Sequence, residues 1–325
     1  MNKLIISSSP HQHSDISTSK IMLTVIISLI PAVAASGTFF GVRAIVLIAV
    51  CCASCVLFEY LSRKVMNRPQ TIGDLSAALT GILLALNLPV TLPFWMAITG
   101  SFIAIVIVKQ LFGGLGQNFA NPAIVARIVL MLSFTGPMTT WAIPKYWTSS
   151  AFSETSVIVN SNTVFTGATP LVSGAASLKD LFIGNTGGCL GETSALALLI
   201  GGLILIFTRV ISPSTPVAYI GTFALLTWIS GGDVPYQILS GGLFLGAFFM
   251  ATDYVTTPIN VKGKIIFGIG CGVTTFIIRN YANYPEGVSF SILLMNILTP
   301  YIDMITRTKP LGTRKKSKEV KTDVQ

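Results

Sequence analysis

The sequence predicts an all-α polytopic membrane protein with about ten transmembrane helices, arranged as two inverted five-helix repeats with an extracytoplasmic loop between them. Hydrophobic residues make up 52% of its 325 residues and charged residues only 10%, whereas an ordinary soluble domain is about 25% charged. The apolar residues also fall into runs close to the roughly 20 residues that a helix needs to cross the hydrocarbon core. This composition excludes a soluble globular protein.

Ten apolar segments qualify, or nearly qualify, as membrane spans. The first five are residues 21–40, 42–61, 72–88, 93–112 and 118–134. The second five follow a polar stretch and are residues 194–211, 217–230, 236–251, 264–278 and 288–305. Gly268 and Gly272 have the spacing that lets two helix backbones approach closely, so we expect them to serve packing.

The charges indicate the topology. The net charge of +9 comes from 21 Lys and Arg against 12 Asp and Glu, and most of the basic residues fall in cytosolic segments if the N-terminus is cytosolic, as the positive-inside rule requires. The C-terminal run RKKSKEVK is then an anchor that contacts anionic lipid, and nucleic acid is not an expected partner. This predicts a cytosolic tail (1–20), a first membrane half (21–135), an extracytoplasmic loop (136–193), a second membrane half (194–306) and a basic cytosolic tail (307–325).

The two halves share a weak internal similarity. Residues 76–93 read SAALTGILLALNLPVTLP and residues 241–258 read GGLFLGAFFMATDYVTTP, so both are small-residue helix faces that end in a polar turn and proline. Because each half has an odd number of spans, a repeat must be inserted upside down, as in many transport proteins. The alternative is that two unrelated glycine-rich helices resemble each other.

Three motifs carry the chemical information. The outer loop contains Phe165-Thr166-Gly167-Ala168-Thr169-Pro170, in which a threonine hydroxyl follows a small-residue turn. The fifth span is preceded by a glycine loop and the string QNFANPA at residues 117–123, and the eighth span ends in MATDYVTTP at residues 250–258. Two of the motifs lie at the cytosolic ends of spans and one lies outside.

In these motifs, in span count and in the outer loop, nearly the whole chain resembles the D-subunit family of the Rnf complex and, more distantly, the B subunit of Na+-translocating NADH:quinone reductase. The resemblance implies that a separate flavin transferase esterifies FMN through its phosphate to Thr169, with Thr166, Gly167 and Ala168 as the recognition turn. Thr163 stands where the family often has Asp. The alternative is an ordinary polar loop with unmodified Thr169.

Thr169 followed by Pro170 also predicts a helix start, with N–H groups facing the phosphodiester.

A second, non-covalent flavin is the next expectation. Asn118 and Asn121 lie three residues apart, which predicts one helical face at the cytosolic boundary, and their amides can donate and accept hydrogen bonds together. In the quinone reductase, riboflavin lies near the corresponding Asn and Asp positions, so the resemblance implies Asn118, Asn121 and Asp253 as riboflavin-binding candidates. The alternatives are a helix N-cap at the asparagines, and an Asp253 that is solvated or binds a cation.

Arg127 is the one deep charge that the sequence indicates, about 9 Å beyond Asn121 along a helix. A charge within a span is a functional-site hypothesis by default, so we expect Arg127 to pair with Asp74, Asp253 or a flavin oxygen. The alternative is a snorkelling side chain. Cys51, Cys52 and Cys55 fit buried small hydrophobes better than cluster ligands, and we assign neither a catalytic residue nor a metal-ligand set.

The predicted function is that of a membrane subunit of a ferredoxin:NAD+ oxidoreductase (Rnf) complex, a redox-driven translocase that couples electron transfer through covalent FMN to Na+ or H+ export. Its expected partners are Rnf subunits A, B, C, E and G, the flavin transferase and the lipid bilayer of the bacterial cytoplasmic membrane. The alternative is an inverted-repeat channel or secondary transporter without a redox cofactor. An aquaporin-type channel has two Asn-Pro-Ala motifs, whereas this chain has only Asn121-Pro122-Ala123, and the threonine loop has no role in a channel.

Overall fold

A computed structural model describes residues 17–142, 144, 169–173, 176–282 and 287–308, and the regular elements of these residues are helical. In the first half they are α1 (Thr18–Phe40), α2 (Val42–Val65), a 3-10 turn (Ile72–Asp74), α3 (Ser76–Leu86), α4 (Phe94–Phe102), which continues as a π-helix (Ile103–Gln110), α5 (Pro122–Ser133) and α6 (Thr135–Met138). Two short helices follow, α7 (Pro170–Ser173) and α8 (Leu178–Ile183). The second half contains α9 (Ala195–Phe207), α10 (Ser214–Ile229), α11 (Val234–Leu239), α12 (Leu243–Leu245) with a π-helix (Gly246–Met250), α13 (Val261–Tyr281) and α14 (Val288–Thr306).

The described helices have the lengths and the apolar composition of a polytopic membrane protein. Four of its helices, α1, α2, α13 and α14, are long and apolar enough to cross a membrane, and five more apolar stretches of 10–17 residues lie between them. Large apolar side chains point outward from these helices, with Phe207, Trp228 and Ile305 at 72–81% exposed. An outer surface of this kind fits contact with lipid.

Two of the predicted spans differ from the structure in a way that shapes the site. The eighth, expected as one helix over residues 236–251, is broken after Leu239, because Gly241 adopts a positive φ of 71° that continues no right-handed helix. The fifth was expected from residue 118, but α5 begins only at Pro122. A residue before proline is pushed out of the helical region, and Asn121 has a ψ of 120°.

Close helix packing depends on glycines that lie in direct contact with the backbone of a neighbouring helix. Helix α13 crosses α10 at Gly268 and Gly272, where an added β-carbon would lie 2.8 Å from the Thr215 carbonyl oxygen and 2.8 Å from the Thr222 β-carbon, respectively. The packing role predicted from their spacing is therefore confirmed. Helix α1 packs on α9 in the same way through Gly201, which lies against the backbone of Ser28.

We expect Gly201→Ala to destabilise the protein, because the added methyl group would collide with the Ser28 carbonyl oxygen and lie 2.9 Å from Cζ of Phe249. Overpacking of this kind costs about 1–3 kcal/mol, and a thermal unfolding scan in detergent should show a lower midpoint. The matched control is Gly221→Ala on α10, where an added β-carbon meets no atom of the described residues within 4 Å. Equal midpoints for the two variants would contradict the α1–α9 contact.

Candidate functional site

A pocket of about 750 Å³, partly open to the surroundings, lies where α1, α3, the first π-helix and the segment before α5 meet the turn after the second π-helix. Asn118, Asn121 and Asp253 all line it. The sequence placed these residues in two motifs more than 130 positions apart, and the fold brings them to one cavity. Apolar side chains, among them Leu83 and Phe248, complete its walls.

The two asparagines lie before a helix and not on its face, so the prediction of a shared helical face is wrong. Oδ1 of Asn121 accepts a hydrogen bond from the Ala123 N–H at 3.1 Å, which makes Asn121 the N-cap of α5. Nδ2 of Asn118 donates to the Ala120 carbonyl at 3.2 Å. The N-cap interpretation is therefore confirmed for Asn121, and both residues still line the pocket.

Asn296 on α14 joins the two motifs beneath the pocket. In the amide orientation that satisfies both neighbours, its oxygen accepts from the Asn121 N–H at 3.2 Å and its nitrogen donates to the Thr256 carbonyl at 3.2 Å. The side chain is 2% exposed. Sequence reasoning missed this residue, because an asparagine within an apolar helix shows no partner until the fold is known.

Asp253 is half-buried between two cavities. Its Oδ2 accepts a hydrogen bond from the Thr256 hydroxyl at 3.2 Å. Burial raises the pKa of the Asp253 carboxyl above its ordinary value, and the Thr256 hydrogen bond partly opposes this shift. The same residue lines a neighbouring cavity of about 540 Å³ together with Ser212 and Lys264.

A buried charged network supports the pocket from the α2 side. Nζ of Lys109 lies 3.1 Å from Oε1 of Glu59 and donates to Oγ of Ser76 at 2.7 Å, and Nε2 of Gln110 donates to the same Glu59 oxygen at 2.9 Å. Lys109 is 2% exposed and lines the pocket. Arg127 is therefore not the only deeply buried charge. Glu59, a carboxylate within the second predicted span, indicated this buried charged network, and sequence reasoning overlooked it.

A second and smaller pocket, of about 290 Å³, surrounds Thr169. The Thr169 side chain is 5% exposed, and its Oγ1 has no hydrogen-bond partner among the described residues. Helix α7 begins at Pro170, as predicted, and the Tyr236 hydroxyl donates to the Pro170 carbonyl at 2.7 Å. Glu192 and Gly241 line the far wall. Thr166, Gly167 and Ala168, the predicted recognition turn, lie outside the described residues.

The carboxylate partner of Arg127 is Glu192 and not one of the two carboxylates that the sequence suggested. Its Nη2 lies 3.0 Å from Oε1 of Glu192 and 3.4 Å from Sγ of Cys189, and its Nη1 donates to Oδ1 of Asn87 at 2.7 Å. The expected pairing with Asp74 or Asp253 is wrong, and so is snorkelling, because Arg127 is 2% exposed. Its carboxylate partner lies 65 residues away, at the end of a segment that the sequence indicated only as a polar loop.

The two pockets lie toward opposite ends of the bundle. Helix α13 starts beside the Asp253 turn and ends at Arg279 and Tyr281 near Gly241, and its 21 residues span about 30 Å at 1.5 Å each. Helix α5 connects the two pockets: Asn121 before its start lines the larger pocket, and Arg127 binds Glu192 in the wall of the Thr169 pocket.

The comparisons with known proteins agree with the resemblance seen in the motifs. The model described as the NQR2, RnfD, RnfE family matches residues 5–312. The chain is 48% identical to the D subunit of the Na(+)-translocating ferredoxin:NAD(+) oxidoreductase complex of Acetobacterium woodii, over 98% of both chains. It is 45% identical to the D subunit of the proton-translocating ferredoxin:NAD(+) oxidoreductase complex of Clostridium ljungdahlii, over 97% of this chain and 98% of that one. It is 36% identical to the D subunit of the ion-translocating oxidoreductase complex of Escherichia coli, over 95% and 99%.

We expect Arg127→Met to lower the free energy of unfolding by about 3–5 kcal/mol, because it leaves the Glu192 carboxylate buried without its counter-ion. Adding Glu192→Gln should restore part of that loss by removing the charge. Denaturant titration in detergent measures both changes. As a control, Asp180→Asn, a carboxylate outside this cluster, should give no recovery. A double variant as unstable as the sum of its parts would contradict the coupling.

Proposed function

The chain belongs to the NQR2, RnfD, RnfE family, and from that premise we propose that it is the D-type membrane subunit of an Rnf ferredoxin:NAD+ oxidoreductase complex, with FMN on Thr169 and a second, non-covalent flavin in the larger pocket. The observation that carries the proposal is the buried Oγ1 of Thr169, which has no partner among the described residues. A buried hydroxyl without a hydrogen bond costs about 1–3 kcal/mol. Such an atom at the family's acceptor position supports the proposal that this hydroxyl becomes esterified.

The surroundings of Thr169 fit a phosphodiester. Gly187 and Gly241 contribute no side chains to the pocket wall, and Thr186 contributes a further hydroxyl. The carbonyl of Pro170 is held by Tyr236, which fixes the direction of the chain leaving Thr169. We therefore expect the acceptor oxygen to be held in place both by the backbone that follows Thr169 and by the wall of the pocket.

The larger pocket fits the ring of a second flavin, which we propose to be riboflavin. Flavin rings present alternating donors and acceptors along one edge and apolar surface on both faces. Asn118, Asn121 and Asp253 supply amide and carboxyl groups, while Leu83 and Phe248 supply apolar walls. When bound, the two flavins would supply electron transfer, and the chain's own residues would hold and orient them and exclude water.

We further propose ten membrane spans in two inverted repeats, with both termini cytosolic and the Thr169 segment outside. Helix α2 packs on α4 in the first half as α10 packs on α13 in the second. Helix α1 packs on α9 and α5 on α14, so elements at equal positions in the two halves meet each other. Contacts between equivalent helices of the two halves are what a two-fold axis between two repeats produces.

Partners and coupling ion follow from the family. Two relatives of similar identity are named for different ions, Na+ and protons, so similarity alone does not select one, and we propose export of Na+ or H+. The proposed neighbours are Rnf subunits A, B, C, E and G in the bacterial cytoplasmic membrane, with a flavin transferase acting during maturation. Exposed apolar helix faces leave room for subunit as well as lipid contacts.

Thr169→Ala should abolish covalent flavin, because it removes the acceptor oxygen. The test is flavin fluorescence of the denatured band, together with intact mass, after co-expression with the flavin transferase. Thr169→Ser should retain the label because it keeps a hydroxyl, and Thr139→Ala, which changes an exposed threonine that does not line this pocket, should retain it in full. A wild-type chain without the added FMN mass would refute the proposed cofactor.

For the non-covalent site, Asn121→Ser separates binding from helix capping. Serine keeps the N-cap within a few tenths of a kcal/mol but lacks the amide, so acid-extractable riboflavin should fall several-fold, as it should in Asp253→Asn. Asn260→Ala changes an asparagine that does not line this pocket and should leave extraction unchanged. If Asn121→Ser binds riboflavin normally while Asn121→Ala does not, the residue acts only as a cap.

A further inference from the structure

Arg279 lies in the last turn of α13. Its Nη1 donates to the Gln237 carbonyl at 2.7 Å and its Nη2 to the Ser240 carbonyl at 3.2 Å. The guanidinium also lies 5.0 Å from the centre of the Phe223 ring. These contacts hold the side chain against the break between α11 and α12.

That break brings the guanidinium to the segment that carries Thr169. A β-carbon added at Gly241 would lie 2.9 Å from Nη2 of Arg279 and 2.9 Å from Cδ1 of Leu171. Gly241 and Leu171 line the same pocket as Thr169. The guanidinium and the first turn after Thr169 therefore meet across a glycine, whose lack of a side chain keeps that space open.

We propose that Arg279 binds the phosphate group attached to Thr169, an inference that rests on the proposed function of Thr169 as the flavin acceptor. A guanidinium has five N–H donors and can bind backbone carbonyls and a phosphate at the same time. Charge-assisted hydrogen bonds from arginine to phosphate are about twice as strong as neutral ones. The buried Oγ1 of Thr169, which no described residue partners, marks where the ester bond starts.

Charge balance explains why this pocket needs a second cation. Glu192 lines the pocket, and a phosphodiester placed there would be repelled by its carboxylate. Arg127 already binds Glu192 at 3.0 Å and turns its other terminal nitrogen toward Asn87, away from the pocket that it does not line. Arg127 thus binds the carboxylate directly, and Arg279, whose charge also acts on Glu192, is the second cation beside this pocket.

The test compares the full chain with and without covalent flavin. Each variant is produced with and without the flavin transferase, placed in lipid nanodiscs, and its unfolding midpoint is measured. The quantity of interest is the difference between the flavinylated and unmodified midpoints, because a purely structural loss affects both forms equally. Intact mass establishes the covalent flavin separately.

The variants are Arg279→Gln, Arg279→Lys and the matched control Arg43→Gln. Arg43 makes the same kinds of contact in the first half, since its Nε donates to the Val90 carbonyl at 2.8 Å and its guanidinium lies 5.3 Å from the Phe94 ring. Its contacts Val90 and Phe94 line neither pocket, whereas Arg279 lies against Gly241 in the wall of the Thr169 pocket. Flavin should therefore stabilise wild type and Arg43→Gln alike, Arg279→Lys less, and Arg279→Gln not at all.

An equal stabilisation by flavin in Arg279→Gln and wild type would overturn the role of Arg279 and leave the proposed cofactor intact. A wild-type chain without covalent flavin would overturn the cofactor itself. If Arg279→Gln does not fold, Arg279→Lys decides, because lysine keeps the charge but loses the planar fork. Undiminished stabilisation in Arg279→Lys would then count against the proposal.

Discussion

The buried ion pair between Arg127 and Glu192 is the interaction on which the arrangement of both pockets depends. Each charge alone would cost several kcal/mol in this interior, so the two groups must stay together. The pair joins α5 to the end of the central insertion and brings that segment into the core. There the Leu190 N–H donates to the Leu88 carbonyl at 3.1 Å and the Gly191 N–H to the Leu86 carbonyl at 2.7 Å. The end of α3, the start of α9 and the middle of α5 are thereby fixed to one another.

Two buried ion pairs of the described interior each lie beside a cavity. Lys109 and Glu59 form one set next to the larger pocket, and Arg127 and Glu192 form the other next to Thr169. A cavity bordered by a neutral pair can accept a polar group without a large electrostatic cost, and the direction of the pair sets which end of the ligand is favoured. An added anion still needs a cation of its own, which is the role we propose for Arg279.

Sequence reasoning located the apolar helices because hydropathy is local, and the family motifs pointed to Thr169, Asn118, Asn121 and Asp253, which line the two pockets. It failed where tertiary structure decides. The partner of Arg127 lies 65 residues away in a polar stretch, and no periodicity connects the two. The break of the eighth span could have been suspected from the adjacent Gly241 and Gly242, since paired glycines allow a positive φ.

The irregular backbone in both halves has a common physical reason. Within a membrane, non-helical backbone is tolerated only where protein buries it or where it lines a cavity. The two π-helices, Ile103–Gln110 and Gly246–Met250, each end in a turn, and residues of both line the larger pocket, Lys109 from one and Phe248 from the other. The departures from regular α-helix in both halves thus lie beside the same cavity, where irregular backbone is tolerated within a membrane.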